Sequence, residues 1–198
     1  MNIVFFINSK TVNIDNYNIK DIPGTSGRLD VISRCILATL LRNNSFERNI
    51  QIWIFLDRYG TFFFNSKFFD YDFFPKNEIL FSDYFVDFLR KFPNIEDLKL
   101  NPLHTIRNSK MNLIEAIRYF QKSNYEMYIL SEQGQDFFNI LNTIKEKKNI
   151  LFIIGSQEDE YIYSKKLSTL NIPKICIGKQ SYLASSVIRL LKLYLLAL

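Results

Sequence analysis

The chain has 198 residues, 47% of them hydrophobic, with 25 Lys and Arg against 20 Asp and Glu for a formal charge of +5. That length holds one large domain or two small ones, and that apolar content excludes a wholly disordered chain. A single histidine excludes a multi-histidine metal site, and two cysteines inside apolar runs point to buried free thiols in a reducing compartment.

Met1–Ile7 lacks a basic segment followed by a long apolar one, so no signal peptide is read and a cytoplasmic location is expected. Ile3–Ile7 reads as a strand. Leu29–Asn43 follows as a helix, then Ile50–Leu56 as a strand. The stretch Phe62–Phe74 reads as irregular, and Pro75, Pro93 and Pro102 punctuate the middle. Glu78–Phe92 and Met111–Lys122 read as helices around His104, a lone histidine of structural or solvated type. Met127–Leu130 and Ile150–Ile154 are strands, separated by the water-facing run Lys145-Glu146-Lys147-Lys148. Glu158–Leu170 is a helix, Lys174–Ile177 a strand, and Tyr182–Leu198 a final helix. That last segment is short for a membrane span and is interrupted by Arg189 and Lys192, so it reads as an interface helix.

Most of these strands lack polar alternation, as expected where both faces are covered. The order implies an α/β fold: one domain over residues 1–198, with a largely parallel sheet and crossovers on both faces. Ligands of such sheets sit beyond the carboxyl ends of the strands. Three of these ends carry glycine-containing loops: Ser131-Glu132-Gln133-Gly134, Gly155-Ser156-Gln157 and Gly178-Lys179-Gln180-Ser181.

The densest chemistry lies in Gly24-Thr25-Ser26-Gly27-Arg28-Leu29-Asp30-Val31-Ile32-Ser33-Arg34-Cys35. A glycine turn opens a helix near Arg28 or Leu29. Asp30 falls in the first turn, where the helix dipole favours a carboxylate. Arg34 stands four residues on and can pair with it; Arg42 shares that side. Ile32, Cys35, Ile36, Thr39 and Leu40 make the opposite apolar stripe. Spacing leaves two readings of the arginines open: an ion pair on a solvated helix face, or phosphate contacts that position a nucleic acid.

This segment, from Asp21 to Asn49, resembles the signature of the archaeal TrmY-type tRNA pseudouridine N(1)-methyltransferases. Tyr128–Asp136, Phe152–Gly155 and Ile177–Ala184 are similar to later motifs of that family, in the same order. The sequence departs from the family pattern at Glu47-Arg48-Asn49, at Ser156-Gln157, and at Leu183-Ala184-Ser185-Ser186-Val187, where a His-Ala-x-His-Cys run is usual. The resemblance implies a SPOUT fold with a carboxyl-terminal trefoil knot, which periodicity does not show. It implies S-adenosyl-L-methionine as methyl donor, held by Leu130, Gly155, Ile177, Gly178, Lys179, Gln180, Ser181, Tyr182 and Val187. It implies a homodimer through the last helix, a tRNA substrate methylated at its T-loop pseudouridine, and no metal and no membrane. A small-subunit rRNA pseudouridine is the alternative target, and a non-catalytic RNA-binding module of the same fold the alternative function. An oxidoreductase is disfavoured because no GxGxxG fingerprint is present.

The expected chemistry is in-line methyl transfer to N(1) of pseudouridine, whose proton must leave. Asp30 is the candidate acceptor. Arg28, Arg34 and Arg48 are the candidate RNA contacts. The target base must leave its stack, and Tyr59, Phe62 and Tyr71 are candidate stacking residues, though core packing is the more usual role of such rings.

Overall fold

β1 (Asn2–Ser9) sends side chains into two cores: Ile3, Phe5 and Ile7 into one, Val4 and Phe6 into the other. A strand covered on both sides needs no polar alternation, hence its unbroken apolar run. In the computed structural model, which describes residues 1–155, 165–178 and 180–196, β1 is the middle strand of a seven-stranded sheet.

After β1 come α1 (Ile22–Thr25), α2 (Leu29–Leu40) and the small hairpin of β2 (Leu41–Arg42) and β3 (Ser45–Phe46). β4 (Ile50–Leu56), β5 (Gly60–Asn65), α3 (Glu78–Lys91), β6 (Arg107–Ser109) and α4 (Leu113–Lys122) follow. β7 (Glu126–Asp136), α5 (Phe137–Lys145), β8 (Asn149–Ile154), α6 (Lys165–Ser168), β9 (Lys174–Cys176) and α7 (Ala184–Leu196) complete the described chain. The strand order is β6-β5-β4-β1-β8-β7-β9. β4, β1, β8, β7 and β9 run parallel, while β5 lies antiparallel between β4 and β6. Leu29, Phe81, Phe137 and Ile188, from α2, α3, α5 and α7, share one core; Ile117 of α4 and Leu167 of α6 lie in the other. The expected α/β architecture, largely parallel with helices on both faces, is therefore present.

Four elements differ from the sequence reading. The stretch read as irregular from Phe62 begins inside β5, where Phe62 and Phe64 enter one core and Phe63 stacks on Trp53 at 4.7 Å across the other face. α5 was not anticipated: Asp136 caps it by accepting from Phe138 N at 2.9 Å. Of the expected helix Glu158–Leu170, only Lys165–Ser168 is described as helix; residues 156–164 lie outside the described residues. α2 ends at Leu40, earlier than expected, because the chain turns into the β2–β3 hairpin.

β7 makes an unusual excursion. Leu130 pairs with Ile175 of β9, the register shifts across residues 131–134, and Gln135 stands opposite the same Ile175. A Cβ built on Gly134 would lie 2.5 Å from the backbone N and C of Ile175, so only glycine fits there.

α7 is fastened to the end of α2 by Lys192. Its Nζ donates to the carbonyls of Ala38 at 2.8 Å, Thr39 at 2.9 Å and Leu41 at 2.9 Å, and stands 3.7 Å from Glu47 Oε2. These are carbonyls that a helix end leaves without internal partners, and a cation suits that end of the dipole. Burial pushes the Lys192 ammonium down from 10.5 to about 8, with Glu47 opposing the shift and Arg189 and Arg42 adding to it. Between about 8 and 10.5 the unfolded chain keeps a proton that the folded chain has released. Stability therefore rises with pH across that window, by roughly 3 kcal/mol in full. Lys192→Met is expected to remove that rise. Thermal melts of both proteins through the window check it, and parallel pH slopes would refute it.

Candidate active site

The loop after β1 is strapped to the turn before α2. Asn13 N donates to Ser26 O at 3.1 Å, and Thr11 Oγ1 donates to Gly27 O at 2.9 Å. Gly27 has φ +58, and a Cβ on it would overlap the Thr11 carbonyl. Ser26 Oγ accepts from Leu29 N at 3.1 Å and so satisfies one of the free donors of α2. The turn ends in Arg28, a non-glycine residue at φ 68 and ψ 37. That left-handed conformation costs about 1–2 kcal/mol and persists because the side chain is tied down.

The tie is Asp30. Arg28 Nε donates to Oδ1 at 3.0 Å and Nη2 to Oδ2 at 3.2 Å, while Arg34 Nη2 donates to Oδ2 at 2.7 Å. These hydrogen bonds hold the Arg28 guanidinium above its usual value. Arg34 also stands 3.7 Å from Glu78. Asp30 is 2% exposed, whereas the Arg28 side chain is 36% exposed. The expected pairing of Asp30 with Arg34 is present. Asp30 itself is buried, and its two oxygens receive three guanidinium hydrogen bonds.

Beside Arg28 is a cavity of about 310 Å³ at the carboxyl ends of β7, β8 and β9. Leu130 of β7 and Gly155, just after β8, line it. Ile177, Gly178, Gln180, Ser181 and Tyr182 come from the connection after β9, and Val187 from α7. Eight of the nine residues expected to hold the methyl donor thus line one space; the ninth, Lys179, lies outside the described residues. Arg28 and Val31 form a wall from α2. Sequence reasoning did not single out Val31, Glu132, Cys176 or Leu183, which also line it. Glu132 and Leu183 sit in loops flagged by their glycines or motif; nothing local marks Val31 or Cys176. Leu130, Ile154, Ile175 and Val187 supply apolar walls, while Arg28, Ser131, Glu132, Gln180, Ser181 and Tyr182 supply polar side chains, the composition of a small-molecule site.

Arg48 is not brought to this mouth. It is exposed just before β4, whose Ile50 pairs with Ile3, at the amino ends of the strands. The three candidate stacking rings are used in packing. Phe62 is 1% exposed, Tyr59 Oη accepts from Ile14 N at 2.9 Å, and Tyr71 packs edge-on against Phe46. His104 is exposed. Among the described residues, no group of His, Cys, Asp or Glu is placed to hold a metal, and no helix is long and apolar enough to cross a membrane.

Residues 1–64 match the family model described as a putative SAM-dependent RNA methyltransferase. The chain is 28% identical over 204 residues to the tRNA (pseudouridine(54)-N(1))-methyltransferase of Pyrococcus abyssi, with 97% of this chain and 96% of that protein covered. It is 24% identical over 188 residues to the enzyme of the same name from Thermococcus onnurineus, covering 91% and 89%. The crystal structure of Archaeoglobus fulgidus Nep1 bound to S-adenosylhomocysteine has a similar fold, with a TM-score of 0.63 and 14% identity over 98% of this chain and 97% of that one.

Proposed function

We propose that this chain, a divergent relative of the archaeal tRNA (pseudouridine(54)-N(1))-methyltransferases, transfers a methyl group from S-adenosyl-L-methionine to N(1) of the T-loop pseudouridine of tRNA. One observation carries the reading: Arg28, at the head of the family-matching motif, stands on the wall of a cavity built from the three late loops. Two segments far apart in sequence that resemble the family separately thus meet in space as one site.

The residues present fit the donor. The apolar walls of Leu130, Ile154, Ile175 and Val187 suit a flat heterocycle, and Gln180, Ser181 and Tyr182 bring polar side chains to the same space. When bound, S-adenosylmethionine supplies an electrophilic methyl group on a sulfonium. The protein's own part is positioning and electrostatics. Arg28 faces the nucleotide and offers donors to a phosphate or to a uracil carbonyl as negative charge develops. Asp30 acts through Arg28 and Arg34, fixing both guanidiniums. Arg34 reaches phosphate on the flank of the target. Arg48, at the other end of the sheet, has a place only on a longer RNA path.

The same reading extends to the assembly. The excursion at residues 131–134, closed on Ile175 by Gly134, supports a chain path in which the last segment passes through a loop to form a trefoil knot. A homodimer through α7 is supported by Leu193, 56% exposed beside Leu41 and Leu196. One sheet dividing two cores supports a single domain over 1–198. A tRNA substrate places the protein in the cytoplasm.

Labelled donor incubated with tRNA transcripts tests the reading. Incorporation is expected with pseudouridine in the T-loop and not with uridine there. Equal labelling of both, or donor binding without any transfer, would overturn it, the latter in favour of a binding module.

A further inference from the structure

We infer that Glu132, and not Asp30, accepts the proton that leaves the target nitrogen. The inference rests on the proposed methyl transfer. Asp30 is 2% exposed and already receives three guanidinium hydrogen bonds. Among the described residues lining the cavity, Glu132 is the single carboxylate. The other side chains there that carry heteroatoms are a guanidinium, a thiol, a phenol, hydroxyls and an amide. Of these types only an ionised carboxylate takes up a proton without first surrendering one or carrying a positive charge.

The local structure presents Glu132 to solvent and to the cavity together. It is exposed, and no cation pairs with it among the described residues. It lies on the excursion of β7, not on a free loop tip. Ser131 Oγ accepts from Gln133 N at 3.4 Å across it, and Gly134 is seated on the Ile175 backbone directly after it. Ile175 and Cys176 belong to the same wall. Arg28 comes from α2 and Glu132 from β7, so a base entering the mouth meets a cation from one element and a carboxylate from another.

The step balances. The N(1)–H electron pair of pseudouridine forms the new N–C bond as the C–S bond of the sulfonium breaks. Sulfur keeps that electron pair and leaves as the neutral thioether. The N(1) proton passes to the Glu132 carboxylate and from there to water, which its exposure permits. Arg28 holds the adjacent carbonyl oxygen while charge builds there. A general base in this position contributes on the order of 100-fold or more.

The test uses the full chain with pseudouridylated T-arm RNA and saturating S-adenosylmethionine, in single turnover. E132Q is expected to slow transfer about 100-fold, and to bind S-adenosylhomocysteine within twofold of wild type. Its residual rate is expected to climb with pH, as solvent takes over the proton. E132D is expected to restore part of the rate. An unchanged E132Q rate overturns the assignment. So does a loss confined to donor affinity, which would mark Glu132 as a ligand contact. If the wild-type protein itself transfers no methyl, the proposed function fails and takes this assignment with it. Transfer by wild type with an unaffected E132Q leaves that function standing and removes only the assignment.

Discussion

Asp30→Asn is expected to cut methyl transfer about 100-fold while S-adenosylhomocysteine affinity stays within a few-fold. Asparagine keeps the shape of the side chain and loses its charge. One of its two terminal atoms becomes an NH₂ group, which meets guanidinium donors from Arg28 and Arg34 instead of accepting from them. Arg28 then loses the tether that holds it at φ 68. Relaxation of that strained backbone is expected to displace the guanidinium from the cavity mouth. The loops after β7, β8 and β9 that make up most of the donor pocket are not among the hydrogen-bond partners of Asp30, which are Arg28 and Arg34, so its affinity is expected to change little. Single-turnover rates and calorimetry measure the two halves separately. A parallel fall in donor affinity would place Asp30 in the pocket. An unchanged rate would show that Arg28 needs no tether.

Gly134→Ala is expected to destabilise the fold by about 3 kcal/mol or more, since backbone lies on the far side of the new methyl and cannot rotate away. The built Cβ would stand 2.5 Å from Ile175 N and C and 2.6 Å from its Cα. β9 must move outward, and with it Ile175 and Cys176 of the cavity wall. The variant is therefore expected to melt roughly 6–12 °C lower and to lose donor affinity. Gly60→Ala is the control. Gly60 has φ +98 with nothing within 4 Å of a built Cβ, so it carries only the conformational cost, about 1–2 kcal/mol. Equal effects at the two glycines would show that β9 does not bear on Gly134 as described.

The first motif was legible because its physics is local. A carboxylate in the first turn, an arginine four residues on and an apolar stripe opposite are all properties of one helix. The left-handed Arg28 was not legible, since it depends on Asp30 folding its side chain back and on Thr11 packing under Gly27. The glycine loops at the strand ends marked the cavity; its α2 wall, through Val31, came from tertiary packing. The need for glycine at Gly134 comes from β9, far along the chain, and no nearby residue signals it. β5 was hidden for a different reason: Phe62-Phe63-Phe64 is covered on both faces and shows no alternation. α5 did carry a signal. Phe137, Ile140, Leu141 and Ile144 have helical spacing behind the capping Asp136, within a segment too short to stand out.

The two halves of the site, Arg28 on its tether and the late loops, must serve one bound molecule. A crystal structure of the chain with S-adenosylhomocysteine tests this most directly. The ligand is predicted between Leu130, Gly155 and Val187, with its sulfur opening toward Arg28 and Glu132. A ligand seated elsewhere, or one whose sulfur faces away from Arg28, would contradict the account.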